Sequence, residues 1–152
     1  MNGFTEAWLR EHQARLLRDN AFGQDIVQFT LEKPVKLLNE VLRMHWTERR
    51  RYAKALAAQI AQRHKGIILP MQQAAVTVTR YSVREPDHDG LIGGCKLLID
   101  CLLMRSDKHP HGMGYIVDDS PKHLTFKAIH VKAETLKAQG TTVRIERLPN
   151  AF

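Results

Sequence analysis

The sequence predicts an α+β domain, a small mixed β-sheet packed with helices in one compact unit. Three observations predict it. Strand-like alternation marks 25–32 and 74–83, with two more strands near 124–132 and 142–148; helical periodicity falls between these stretches without a regular β-α-β-α repeat; and 152 residues, 43% apolar and 26% charged, have the size and mixture of one globular domain. No internal repeat or low-complexity linker divides the chain. Residues 1–152 therefore read as a single domain, with 1–22 a helical N-terminal extension and 25–148 the core.

The elements follow in order. Residues 5–20 carry Trp8, Leu9, Leu16 and Leu17 among charged residues, the period of an amphipathic helix, which Gly23 ends. Val27, Phe29 and Leu31 then alternate with polar residues as in a half-buried strand. The stretch 35–46 admits a short helix or a loop. An irregular, exposed segment presenting Asn39, Arg43, His45 and Trp46 is the favoured reading. From Thr47 and Glu48 an Ala-rich helix is expected to run to about Lys65, with Ala53, Leu56, Ala57 and Ile60 as its core stripe. Arg50, Arg51 and Lys54 lie off that stripe, as any solvated helix face would have them. The alternation AAVTVTRYSV over 74–83 is a strand, 91–104 a buried helix, RSDKHPHGMG a loop, and 115–117 a short strand before two aspartates.

Charge and cysteine usage narrow the setting. Lys and Arg outnumber Asp and Glu by 23 to 16, a formal +7, which suits a polyanionic partner without naming it. Cys95 and Cys101 form no CxxC pair and have no histidine at zinc-finger spacing, so buried free thiols in a reducing cytoplasm are expected. No stretch reaches the roughly 20 apolar residues of a membrane span, and the opening MNGFTEAWLREHQ lacks the apolar core of a signal peptide.

The most informative segment is REPDHDGLIGGCKLLIDCLL, where Asp87 and Asp89 stand at the end of a strand, just before a helix. Two carboxylates two residues apart can point to one side of extended chain, where they repel unless a cation is present; Mg²⁺ or Mn²⁺ suits such oxygen donors. On one continuous helix Asp89, Lys96 and Asp100 would share a stripe to within about 20°. Lys96 and Asp100, four apart, also make an ordinary helical ion pair. Gly93 and Gly94 suggest close approach of a backbone or a substrate, and sheet packing explains them equally well. Asp118 and Asp119, before Ser120 and Pro121, are equally good turn chemistry when taken alone.

DHDGLIGGCKLLIDCL followed by GYIVDD resembles the signature of RusA-like Holliday-junction resolvases. That signature is Asp-x-Asp-Asn-Leu, a Lys, an Asp four later, a Leu, and a downstream Gly-x-x-x-Asp-Asp. Its positions match Asp87, Asp89, Lys96, Asp100, Asp118 and Asp119 here, and the family loop after the first strand resembles Pro34, Asn39, Arg43, His45 and Trp46. The likeness spans roughly residues 25 to 148. It departs twice: Gly90 replaces the family Asn, and the Lys falls three residues late, nearly one helical turn.

The resemblance implies a RusA-like fold and a Mg²⁺-dependent endodeoxyribonuclease, with Mn²⁺ able to substitute. Asp87, Asp89 and Asp119, with Asp118 as ligand or supporting partner, would hold one or two ions. Lys96 would steady a phosphate, and Asp100 would be structural. The implied substrate is branched DNA in recombination and repair. A homodimer is implied too, because two matched nicks need two sites. The expected setting is the cytoplasm, in a bacterial or phage context. Asn39, Arg43, His45, Arg50, Arg51, Arg84 and Lys122 are the residues expected to meet DNA. Two rivals stay open: a metal-dependent nuclease with another branched substrate, and a DNA-binding or assembly protein of this fold weakened in activity, which Gly90 suggests.

Overall fold

The computed structural model describes residues 25–65 and 68–149, together with Ala7 and Arg10. The N-terminal helix expected over 5–20 lies outside the described residues apart from those two, both helical. Four strands form one sheet: β1 (Ile26–Leu31), β2 (Ala74–Ser82), β3 (Leu124–Lys132) and β4 (Gly140–Arg147), in the order β1-β4-β2-β3. β4 runs antiparallel to both neighbours, while β2 and β3 are parallel, with Ala74 opposite Leu124 and Ser82 opposite Lys132. The mixed sheet and the single α+β domain are as expected.

The period-2 pattern governs the β1–β4 and β4–β2 pairings. Val27, Phe29 and Leu31 of β1, Val76 and Val78 of β2, and Val143 and Ile145 of β4 are buried in one cluster. Gln28, Thr30 and Arg144 on the opposite face are exposed. A one-residue slip would exchange these two sets, so burial fixes the register.

The segment expected to be irregular is a helix instead, α1 (Leu38–Arg43). Its sequence LNEVLR is mostly good helix former, the Glu40 carboxylate accepts the Leu37 N–H at 3.2 Å, and Val41 buries against the core. The long helix α2 (Trp46–Arg63) begins at a histidine cap, with His45 Nδ1 accepting the Thr47 N–H. Leu56 and Ile60 are buried on its inner face, and Ala53 and Ala57 pack beside them.

The single helix expected over 91–104 is two: α3 (His88–Gly94) and α4 (Lys96–Leu102). At Cys95 the backbone N–H reaches Ile92 O at 3.1 Å, the tighter three-residue closure, after two glycines that each weaken a helix by about 1 kcal/mol relative to alanine. Those glycines answer to packing. A Cβ on Gly94 would lie 2.0 Å from Lys36 O and 2.8 Å from Leu37 Cα, so the chain entering α1 presses on the α3 backbone. The break also removes the continuous stripe expected for Asp89, Lys96 and Asp100; only Lys96 and Asp100 share a helix.

The strand expected at 115–117 is not formed. Ile116 makes isolated bridges to Met71 and Leu103, which are loop and helix end and offer no ladder to extend. Tyr115 is buried and bonds His64 at 2.9 Å, tying this segment to the end of α2. Cys95 and Cys101 are buried and unpaired, as expected, and burial pushes each thiol up to about 12.

Because backbone confronts Gly94 while only the flexible Leu38 side chain confronts Gly93, the two should respond differently to alanine. Gly94→Ala should cost at least about 2 kcal/mol in urea unfolding, despite better helix propensity, and Gly93→Ala clearly less.

Candidate functional site

The site residues lie on the crossover that joins the two parallel strands. Its starting point is held firmly. Arg80, on β2 and only 8% exposed, donates from Nε to Val35 O at 2.8 Å and from Nη1 to Ser82 Oγ at 2.7 Å. Ser82 Oγ in turn donates to Arg84 O at 2.7 Å, and the Val83 N–H donates to Gln139 Oε1 at 3.0 Å. Burial presses the Arg80 guanidinium below its ordinary value, and no carboxylate among the described residues pairs with it. A buried guanidinium spent on a carbonyl and a hydroxyl fixes backbone, here the exit of β2 toward Asp87.

Asp87 is the N-cap of α3, its Oδ2 accepting the Gly90 N–H at 2.9 Å. Asp89 follows in the first turn, and both aspartates are exposed. Gly90 is buried, and a Cβ there would stand 2.7 Å from Asp87 Oδ1. The absent side chain thus has a local consequence: Asp87 can fold back over the helix end, and an asparagine at 90 would push that carboxylate aside.

The other end of the crossover returns to the helices. His123 N and Leu124 N both donate to Ser120 O at 2.9 Å, a turn that starts β3 and presents Asp119 to α4. Lys96 Nζ donates to Asp119 Oδ2 at 2.9 Å and lies 3.0 Å from Asp100 Oδ1. Residues 23 apart in sequence are therefore joined by a charged hydrogen bond. Partial burial opposes the charge on Lys96, but the bonds to Asp119 and Asp100 outweigh it and raise its pKa above the ordinary lysine value. The Lys96 bond holds Asp119 below the usual carboxylate range against a smaller burial effect. Asp100 also faces His109, with Oδ1 3.7 Å from Nδ1.

The structure thus brings Lys96, Asp100 and Asp119 together. Asp87 and Asp89 stand at the start of α3, across the Cys95 break from Lys96. Asp118 is exposed beside Asp119. Among the described residues no three His, Cys, Asp or Glu side chains are grouped as a metal site. The donors nonetheless suit Mg²⁺, which is commonly held by one or two carboxylates together with waters and substrate phosphates rather than by an all-protein cage. Asp87 and Asp89 are exposed carboxylates of that kind, with Asp87 Oδ2 already accepting the Gly90 N–H.

Of the residues expected to meet DNA, Asn39 and Arg43 are exposed on α1, His45, Arg50 and Arg51 at the start of α2, Arg84 after β2, and Lys122 in the turn before β3. Arg84 and Asp87 line a cavity of about 650 Å³ with Arg80. Trp46 is 58% exposed and takes the Arg50 guanidinium over its ring at 5.6 Å, so it is not the core residue that tryptophan usually is. Sequence reasoning missed Arg80, whose buried role a strand alternation hides, and His109, which read only as part of a loop.

The chain matches no protein-family model and no curated protein. No helix among the described residues is long and apolar enough to cross a membrane.

The lowered pKa of Asp119 gives a signed expectation. The pair with Lys96 contributes fully above the ordinary carboxylate range near 3.9 and is lost as pH falls through the depressed value. In Lys96→Met the Asp119 carboxyl should titrate at higher pH than in the native protein, read by carboxyl ¹³C shifts; an unchanged midpoint would refute the assigned cause.

Proposed function

We propose that this chain is a Mg²⁺-dependent endodeoxyribonuclease acting on branched DNA, a RusA-like resolvase that cuts four-way junctions in recombination or repair. The single observation behind the reading is the Lys96–Asp119 hydrogen bond, which joins the helical lysine of the acidic motif to its downstream aspartate pair across the crossover. The net charge of +7 and the exposed basic residues at the α1–α2 junction suit a polyanion.

In this reading Asp87 and Asp89 would hold the divalent ion, and Asp119, with Asp118 beside it, would supply carboxylate from the Lys96 cluster further along the crossover. The bound ion, Mg²⁺ or Mn²⁺, would lower the pKa of a coordinated water and offset charge on the phosphate. Lys96 has three N–H donors, so it can keep Asp119 and still give one to a nonbridging phosphate oxygen. Asp100 steadies the lysine from its own helix. Arg80 and Ser82 act indirectly, by fixing the backbone from which Asp87 and Asp89 project. Trp46, with Leu42 also 60% exposed, offers an apolar surface beside Arg43 and Arg50 for an unstacked base. Two matched cuts require a homodimer, and the reading carries with it the expected cytoplasmic setting, bacterial or phage-encoded.

One observation favours a second reading, a DNA-binding protein of the same fold with weakened chemistry: Asp87 is engaged as a helix cap over Gly90. Calorimetry separates the two. Junction affinity that persists in chelator, with no Mg²⁺ or Mn²⁺ binding, supports the second.

The direct test compares four-way junction, flap, duplex and single strand, with and without Mg²⁺. The native protein should cut the junction best, and Asp89→Asn should retain junction binding while cleavage falls at least about 100-fold. Retained cleavage in Asp89→Asn contradicts the ligand role, and equal cutting of all four substrates removes the resolvase label.

A further inference from the structure

A second feature lies on the other side of Asp100. Between α2, α4 and the loop after it is a cavity of about 400 Å³, lined by Arg49, Arg50, Asp100, Lys108, His109 and His111. Its floor is apolar, with Ala53, Leu97 and Pro110. That volume falls within the usual range for small-ligand sites.

The cations in this cavity are not balanced by its acids. Asp100 is already paired with Lys96 at 3.0 Å. Asp107, which also lines the cavity, has no ion-pair partner among the described residues and alone opposes Arg49, Arg50 and Lys108. Both arginines are ordered by neutral groups. Arg49 donates from Nε to Val41 O at 3.1 Å and from Nη2 to Leu42 O at 3.4 Å, while Arg50 sits over the Trp46 ring. Arginines held this way have already lost side-chain freedom while keeping their charge for an outside anion.

The loop is built to present its cations. Ser106 and His109 exchange backbone hydrogen bonds at 3.1 Å in both directions, Ser106 Oγ accepts the His109 N–H at 3.2 Å, and Gly112 N donates to His109 O at 3.1 Å. Lys108 and the two imidazoles therefore project from a closed turn. Phosphate oxygens suit such a mixture, because guanidinium and ammonium groups supply charge and an imidazole N–H supplies direction.

We propose that this cavity is a phosphate-binding subsite that takes one backbone phosphate of a nucleic-acid strand. Asp100 stands in its wall and pairs with Lys96, so a strand seated here passes next to the Lys96–Asp119 bond. The proposal rests on the nucleic-acid reading above and is independent of the metal chemistry.

The experiment is run in chelator on the whole chain, following the His109 and His111 imidazole signals by NMR. Inorganic phosphate and an oligothymidylate of about eight nucleotides are titrated separately. Both should shift the two rings, the oligonucleotide at a concentration at least about tenfold lower, because it adds contacts beyond one phosphate. Lys108→Ala should reduce the slope of log affinity against log salt by about 0.7 for the single strand. Arg50→Lys, which keeps charge but loses the planar fork, should weaken phosphate more than Lys137→Ala, outside this cavity, does.

Rings unmoved by both ligands would overturn the proposal. So would an unchanged salt slope in Lys108→Ala. Shifts with inorganic phosphate but not with the oligonucleotide would overturn the strand as the source. Binding of the oligonucleotide through this cavity by a protein that cuts no junction would sustain the subsite and defeat the nuclease reading, which keeps the two separable.

Discussion

The parallel pairing of β2 with β3 is the constraint on which the rest of the molecule depends. Parallel neighbours cannot be joined by a hairpin, so the chain leaving Ser82 must travel back along the sheet before it can enter at Leu124. That return path contains α3, α4 and the long loop, and with them every acidic residue of the candidate site. Asp87 and Asp89 stand where the path leaves the sheet, Asp118 and Asp119 where it re-enters. The Lys96–Asp119 bond ties the departing helices to the returning turn.

Two polar hubs of opposite character hold this path in place. The Arg80–Ser82 hub is buried and bonded to main-chain and hydroxyl oxygens, so it sets backbone geometry. The Lys96 hub is more exposed and bonded to carboxylates, so it can exchange a partner for a phosphate without leaving a buried charge unpaired. Their division of labour suits a site in which the frame stays fixed while the charged surface meets its ligand. The cationic cavity beyond Asp100 extends that surface toward α2.

What the sequence made legible was governed by local periodicity. β1, β2 and β4 could be read because their alternation coincides with burial, and α2 because its Leu56 and Ile60 repeat at helical spacing, whereas β3 buries only Ala128. The reason for glycine at the α3–α4 break was hidden, since a carbonyl from Lys36, about 58 positions earlier in the chain, lies where a Cβ on Gly94 would stand. The 115–117 segment misled for a similar reason: YIV has strand composition, but the neighbours that fold beside it supply single bridges only. In the site, the Lys96–Asp100 pair followed from helix spacing, whereas the approach of Asp119 depends on the Ser120 turn and on tertiary packing. The Asp87 cap over Gly90 was masked by a motif that spells the position differently.

The cysteines carry a practical consequence. With both sulfurs enclosed in the core and their thiols pushed up to about 12, almost no thiolate exists at neutral pH. Alkylating reagents and mild oxidants should react slowly until the packing opens, even though Cys101 lines the cavity between α2 and α4. Thiol labelling rate is therefore a clock for transient unfolding, and disulfide-linked material in an aged preparation would mark molecules that had already lost their native interior.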